Sequence, residues 1–359
     1  MRRESDCCHS SMNMVEWFQN RSYIIKGMQF VKEFVIGSND AGRRLDRFAA
    51  KAVPSLPDSL MQKYIRLKRI KVGGKGAKRE YKLAVGDTVQ MYINDEFFEQ
   101  RRGVAAYLEI ASPALDIVYE DDNILLVNKQ SGVLCHSGND EDGSGTLITM
   151  VKAYLYQKGE WRPLEENSFS PALCNRIDRN TSGIVIAAKN AESLRIVNEK
   201  IKLREIDKYY LAIVHGVPSP PSGRLESQFF KDAVKNMVIV RNEARPGTKT
   251  AITEYRTLKT AEKLSLLECR LLTGRTHQIR AQLADAGHPL LGDGKYGSER
   301  LNKPYGEKYQ ALCSHKLAFA FKTNAGILQY LDKAVFKLES IPFVGKYFPE
   351  TTTKRPTKK

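Results

Sequence analysis

Asp178, Tyr210 and Arg280 are the residues of this chain whose types and surroundings suit a reaction. Asp178 stands in the stretch Asn175-Arg176-Ile177-Asp178-Arg179-Asn180-Thr181-Ser182-Gly183, directly before the apolar run Ile184-Val185-Ile186-Ala187-Ala188. A carboxylate at the mouth of a buried strand loses hydration, which raises its pKa, while a neighbouring guanidinium keeps it ionised. An ionised, poorly hydrated carboxylate is a usable nucleophile or base. Arg280 is the guanidinium expected to pair with it, because it opens a helix directly after a strand and its planar fork matches a carboxylate. Tyr210 alternates with Tyr209 along Lys208-Tyr209-Tyr210-Leu211-Ala212-Ile213-Val214. One ring therefore faces the core and the other the opposite side. A tyrosine that faces a pocket can stack on a nucleobase.

Plainer readings stand beside these. An aspartate before Thr-Ser-Gly is usually a turn or cap residue, and tyrosine on a strand usually packs. Gly274-Arg275-Thr276-His277 can be a helix cap, with His277 bonded to backbone. Residue types alone leave both readings open. Other chemistries are less well supported. Ser182 lacks the G-x-S-x-G frame of a nucleophilic serine. Gly292, Gly294 and Gly297 are not followed by the Lys-Ser/Thr of a phosphate loop. His277 and His288 have no third ligand nearby, and Cys7, Cys8 and His9 have no second pair at zinc spacing, so no metal is expected. A glycosidase needs a second acid across a pocket, for which Asp293 is the nearby candidate.

The elements that would position these groups are short. Residues 43–53 put Leu45, Phe48, Ala49, Ala52 and Val53 on one helical stripe,. Pro54 and Pro57 end that helix, and Ser55 or Asp58 is the expected cap of a second, basic one. Short strands then turn at Gly73-Gly74 and Gly86-Asp87. After a mixed stretch at 96–112, strands are expected at 115–119 and 124–128, with a turn at 120–123. A helix is expected over 191–206, and further strands in Lys208–Gly216, Thr250–Thr260 and Lys263–Leu272. A last helix carries His277, Gln278, Arg280 and Gln282. Many strands with few helices imply an α+β fold on a mixed, largely antiparallel sheet. The expected organisation is a disordered leader at 1–27, a small α+β domain at 28–95, a linker at 96–112, a catalytic domain at 113–346 and a basic tail at 347–359.

Charge is unevenly spread. The chain has a net charge of +16, of which residues 42–82 contribute +10 and residues 351–359 a further +4. A compact basic module implies a polyanion partner, most often nucleic acid. Its Arg43, Arg44, Lys63, Arg66, Lys68, Arg69, Lys71 and Lys75 can hold phosphates without reading bases. Six cysteines without a regular framework suggest free thiols and a reducing, cytoplasmic setting,. No run of about 18 apolar residues is present, so no membrane span is expected. Nothing in the sequence defines an oligomeric state; a monomer is the default.

Two resemblances sharpen these expectations. Residues 43–93, with Arg-Leu-Asp in the first helix, a basic second helix, Lys-Val-Gly-Gly-Lys and the closing Gly-Asp-Thr-Val, resemble the S-four-like RNA-binding domain. "NRIDRNTSG", "DKYYLAIVHG" and "LTGRTHQIRAQLADAGHPLLGDGKYG" resemble the three motifs of the RluA-type pseudouridine synthases, in the family's order. That resemblance implies the family's mixed α+β catalytic fold and conversion of uridine to pseudouridine in RNA, without metal or other cofactor. It places the catalytic aspartate at Asp178, the stacking tyrosine at Tyr210, the aspartate-pairing arginine at Arg280, and an arginine near the backbone of the extruded nucleotide at Arg176. Ribosomal RNA of the large subunit is the implied partner, with transfer RNA as the alternative substrate and a non-catalytic RNA-binding or ribosome-assembly protein as the alternative function. Asn175 departs from the family's usual histidine, and Ile177 from its leucine.

Overall fold

A computed structural model describes residues 31–98, 106–137, 145–232, 237–241 and 243–349. The expected leader at 1–27 and the tail beyond 349 lie outside the described residues, as does part of the expected linker. The chain divides into two compact units: residues 1–103 with 164–169, and residues 104–163 with 170–359.

The smaller unit is a four-stranded antiparallel sheet with two helices. Its elements are β1 (Lys32–Val35), α1 (Leu45–Ala52), α2 (Asp58–Arg66), β2 (Ile70–Val72), β3 (Lys75–Gly76) and β4 (Thr88–Met91), with sheet order β1-β4-β2-β3. Of the stripe read from the sequence, Leu45, Phe48, Ala49 and Val53 are fully buried and pack with Phe34, Met61, Ile65, Ile70 and Val89, while Ala52 is half-buried against them. The cap of α2 differs from expectation. Pro57 occupies the N-cap with no side-chain bond, so neither Ser55 nor Asp58 caps the helix. Residues 164–169, far along the sequence, belong to this unit rather than to the larger one. Asn167 donates to Val35 O at 2.7 Å, and Asn39 donates to Glu166 at 2.7 Å.

The larger unit contains β5 (Ile117–Glu120), β6 (Ile124–Lys129), α3 (Leu147–Gln157), β7 (Ala172–Leu173), β8 (Ser182–Ala188), α4 (Ala191–Lys202), β9 (Ile206–His215), β10 (Ser222–Asp232), β11 (Met237–Arg241), β12 (Lys249–Ala261), β13 (Leu264–Leu271), α5 (Gln278–Asp285), α6 (Glu299–Asn302), β14 (Leu312–Phe319), β15 (Val335–Lys337) and α7 (Pro342–Tyr347). Its sheet runs β11-β10-β12-β13-β9-β14-β8-β6-β5, with β7 beside β8 and β15 beside β14. Every pairing but β14–β8 is antiparallel. This is the mixed, largely antiparallel α+β sheet that the sequence implied. Packing runs on to Phe348, 6% exposed, past the expected domain end at 346. Helix α3 has no counterpart in the sequence reading. It buries Leu147, Ile148, Thr149, Val151, Ala153 and Leu155, leaving too little polar face for a clear period,. No helix among the described residues is long and apolar enough to cross a membrane.

The parallel pairing of β8 with β14 explains Thr-Ser-Gly. Gly183 sits at φ +114, opposite Ser314, where a Cβ would lie 2.3 Å from the Ser314 carbonyl oxygen. Glycine is required by both the backbone angle and the close approach. The loop carrying Asp178 is thereby joined to the middle of the sheet.

Candidate active site

Asp178 lies in the loop between β7 and β8, closed by Thr181 N donating to Asp178 O at 3.1 Å. Two further contacts fix the loop. Asn175 Oδ1 accepts from Ile186 N at 2.8 Å, so the residue that departs from the family pattern serves as a backbone anchor. Lys129, 1% exposed, donates to the carbonyls of Gln130, Val133 and Arg179 at 2.9, 2.8 and 3.0 Å. Burial pushes its pKa down to about 8, opposed by Cys135 and Asp178. A charged residue ending the apolar strand Ile124-Leu125-Leu126-Val127 was the sequence signal for this anchor.

Arg280 enters from the first turn of α5, nine residues beyond Leu271 at the end of β13. It donates through Nη1 to Asp178 Oδ2 at 3.0 Å, which is the pairing expected from the sequence. The rest of its fork was not expected. Nε and Nη2 grip Asp293 at 2.7 and 3.0 Å. Asp293 is fully buried, and its Oδ1 also accepts from Lys295 N and Tyr296 N at 2.9 and 3.1 Å. Burial acts to raise its pKa, but Arg280 and the two backbone donors hold it below the usual carboxylate range. Burial likewise works against the charge of Arg280, while Asp293 and then Asp178 hold its pKa up. This geometry removes Asp293 as the second acid of a glycosidase, because its carboxylate is consumed by Arg280 and does not face a pocket.

His277 is the N-cap of α5 rather than a helical residue. Its backbone is left-handed at φ 54, its Nδ1 shares a hydrogen bond with Tyr296 Oη at 3.0 Å, and its Nε2 lies 3.9 Å from Asp178. Burial lowers its pKa, outweighing the opposing Asp178 carboxylate. His277 is thus neutral at neutral pH and adds a dipole, not a charge.

Asp178 stands where two clefts meet. The first is lined by Arg176, Ile177, Lys208, Tyr210, Leu271 and Arg275 together with Asp178, His277 and Arg280. The second runs from the same three residues past Arg179, Asn180, Lys295 and Lys308. Tyr210 is 6% exposed, yet it forms a wall of the first cleft; burial raises the pKa of its hydroxyl and keeps it protonated. Lys208 lines the same cleft, as the strand period requires, and burial lowers its pKa, with Asp207 opposing,. Tyr209 faces the other side of the sheet, beneath the Lys316 ammonium at 3.9 Å. The exposed Arg176 lines the first cleft beside Asp178. Among the described residues no group of three or more His, Cys, Asp or Glu is arranged to hold a metal ion.

The basic residues of the smaller unit do not all line one groove. Lys63, Arg66 and Lys68 line a groove between α2 and residues 76–80, joined there by Lys78 and Arg79, which the sequence reading left out. Arg69 and Lys71 lie over the rings of Tyr64 and Tyr92, at 5.4 and 4.8 Å. Arg44 is forked onto Asp46 at 3.1 and 2.6 Å, and Arg43 donates to Ser168 Oγ at 2.5 Å. Lys75 is exposed at the sheet edge in β3. The groove is therefore built by Lys63, Arg66 and Lys68, and the remaining five predicted cations lie outside it.

Comparison with known proteins follows the same residues. Residues 123–285 match the family model for RNA pseudouridylate synthase. The chain is 30% identical over 277 residues to the ribosomal large subunit pseudouridine synthase C of Salmonella typhimurium, covering 76% of this chain and 82% of that protein. It is 31% identical over 269 residues to the protein of the same name from Vibrio vulnificus, covering 74% and 80%. Among solved structures, human RNA pseudouridylate synthase domain containing 4 aligns with 63% of this chain and 89% of its own, at 21% identity and a TM-score of 0.49.

Proposed function

Because this chain belongs to the RNA pseudouridylate synthase family, we propose that it converts specific uridines of large-subunit ribosomal RNA to pseudouridine, with Asp178 as the reacting carboxylate. The observation that carries the reading is one geometry: a carboxylate held at 3.0 Å by a buried arginine, lining a cleft walled by a tyrosine ring. The reaction breaks the bond from ribose to the uracil nitrogen, turns the ring, and rejoins the ribose to ring carbon 5. The proton of that carbon leaves and the ring nitrogen gains one, so the product is an isomer.

The target base must leave its stack, which costs a few kcal/mol and is least costly in loops. Tyr210 supplies a face for the extruded ring, and Arg176 and Lys208 supply cations beside it. Asp178, restrained by Arg280, acts at the sugar, by attack or by proton removal. The groove of Lys63, Arg66, Lys68, Lys78 and Arg79 holds RNA backbone, in keeping with an S-four-like domain. Free buried thiols at Cys135, Cys269 and Cys313 suit a cytoplasmic site of action,.

The test uses RNA tritiated on carbon 5 of uridine, offered as large-subunit ribosomal RNA and, separately, as transfer RNA. Release of tritium from ribosomal RNA by the wild type but not by Asp178→Asn is the expected result. Release from transfer RNA alone would reassign the substrate. Tight binding without release from either would leave an RNA-binding protein.

A further inference from the structure

We infer that Asp293 is a positioning residue that sets the reactivity of Asp178 by occupying most of the Arg280 guanidinium. The inference rests on Asp178 being the reacting carboxylate. Arg280 has an 8% exposed side chain shared by two carboxylates, and the sharing is unequal. Its Nε–Nη2 edge lies on Asp293, and only Nη1 reaches Asp178. Asp293 is fully buried and has four donors; the Asp178 side chain is 25% exposed and has one from Arg280. One guanidinium thus serves two carboxylates, and the larger share of its hydrogen bonds goes to Asp293.

Two consequences follow. A fork gripped along one edge cannot rotate, so Nη1 is aimed at Asp178 before substrate arrives. An arginine with no second partner would also turn its whole charge and all its donors on Asp178 and weaken it as a base or nucleophile. Asp293 cancels part of that effect, so Asp178 is held without losing its reactivity. The loop carrying Asp293 is itself immobilised. Asn302 donates to Asp293 O at 3.1 Å and accepts from Gly292 N at 2.9 Å, and a Cβ at Gly292 would lie 2.3 Å from Tyr309 O.

The other titratable groups facing Asp178 come from every side. His277 caps α5, Lys129 ends β6, Tyr210 lies on β9, Tyr296 follows Asp293, and Cys135 lies beyond β6. Arg176, Arg179, Lys208 and Lys295 line the clefts beside it. The Arg280 fork is what joins the two carboxylates directly, so the balance between them passes through Asp293.

The measurement is the pH dependence of kcat/KM for tritium release across the acidic range, with folding followed by circular dichroism. Asp293→Asn leaves Asp178 as the only carboxylate on Arg280. The acid limb should move to lower pH, with a lower plateau. A limb that stays in place while the plateau falls would make Asp293 merely structural and overturn the inference. Should Asp293→Asn fail to fold, Asp293→Glu decides by the same pH profile. It keeps the charge but lengthens the side chain, so the hold on Arg280 Nε and Nη2 changes and Nη1 is aimed less well at Asp178. The acid limb of kcat/KM should move; a limb that stays in place would overturn the inference. Asp178→Asn is run in parallel: full activity there would remove the catalytic reading of Asp178 itself, whereas an inactive Asp178→Asn with an unmoved Asp293→Asn limb removes the inference alone.

Discussion

Replacing Arg280 and replacing Asp178 should both abolish catalysis but differ sharply in stability. Arg280→Met strips Asp293, fully buried, of its bonds at 2.7 and 3.0 Å and leaves an uncompensated interior charge. Breaking a buried pair in this way costs about 3–5 kcal/mol. For a unit the size of the larger one, each kcal/mol corresponds to roughly 2–4 °C in Tm. The transition of that unit should therefore fall by about 6–20 °C. Asp178→Asn is different. Its side chain is 25% exposed and can hydrate, its carbonyl can still accept from Arg280 Nη1, and Asp293 keeps its partner. Its loss should stay within about 1 kcal/mol, or about 4 °C. Differential scanning calorimetry with the tritium-release assay separates the cases. An Arg280→Met protein melting within about 4 °C of wild type would refute the claim that the fork is a buried anchor. An Asp178→Asn protein melting as low as Arg280→Met would make Asp178 structural.

Three more expectations follow from other parts of the molecule. Tyr210→Phe should retain activity within a few-fold, whereas Tyr210→Ala should lose the stacking of one base, about 1–3 kcal/mol, or roughly 5–150-fold in kcat/KM for RNA; equal losses in both would assign the role to the hydroxyl instead. In the full chain, joint alanine substitution of Lys63, Arg66 and Lys68 should make the plot of log affinity against log salt shallower by about 2–3, and an unchanged slope in filter binding would exclude the groove from phosphate contact. Burial pushes the pKa of His315, 3% exposed, down to about 4 against the opposing Glu268 at 3.2 Å. The unfolded chain then protonates first, near 6.5, so this contribution is present above that pH and is lost as pH falls toward 4,. A fall from 6.5 to about 4 corresponds to about 3 kcal/mol,. Urea unfolding of His315→Gln should show a correspondingly weaker pH dependence over that window, and identical curves would count against it.

Local chemistry made much of this protein legible in its sequence. The stripe Leu45, Phe48, Ala49, Val53 repeats at helical spacing because one face of α1 is buried, and Lys208 and Tyr210 share the cleft because strand side chains alternate. Gly183 follows Thr-Ser because β14 passes too close for any Cβ. Asp178 and Arg280 could be named as a pair because a desolvated carboxylate needs a cation. What the sequence could not specify was how the charges are divided. Asp293 lies thirteen residues from Arg280 and reads as part of a glycine-rich turn; only the folded loop, pinned by Asn302, brings its carboxylate to the far edge of the same guanidinium. The same holds for Lys129, whose carbonyl partners Gln130 and Val133 lie in the turn after β6 while Arg179 comes from the Asp178 loop, and for the groove, where curvature gathers Lys78 and Arg79 with three predicted cations and leaves Arg43 and Arg44 to internal partners. Residue types and periodicity specify which groups are buried and which need a partner. Choosing among several available partners depends on distances across the chain, and those exist only once the sheet has formed.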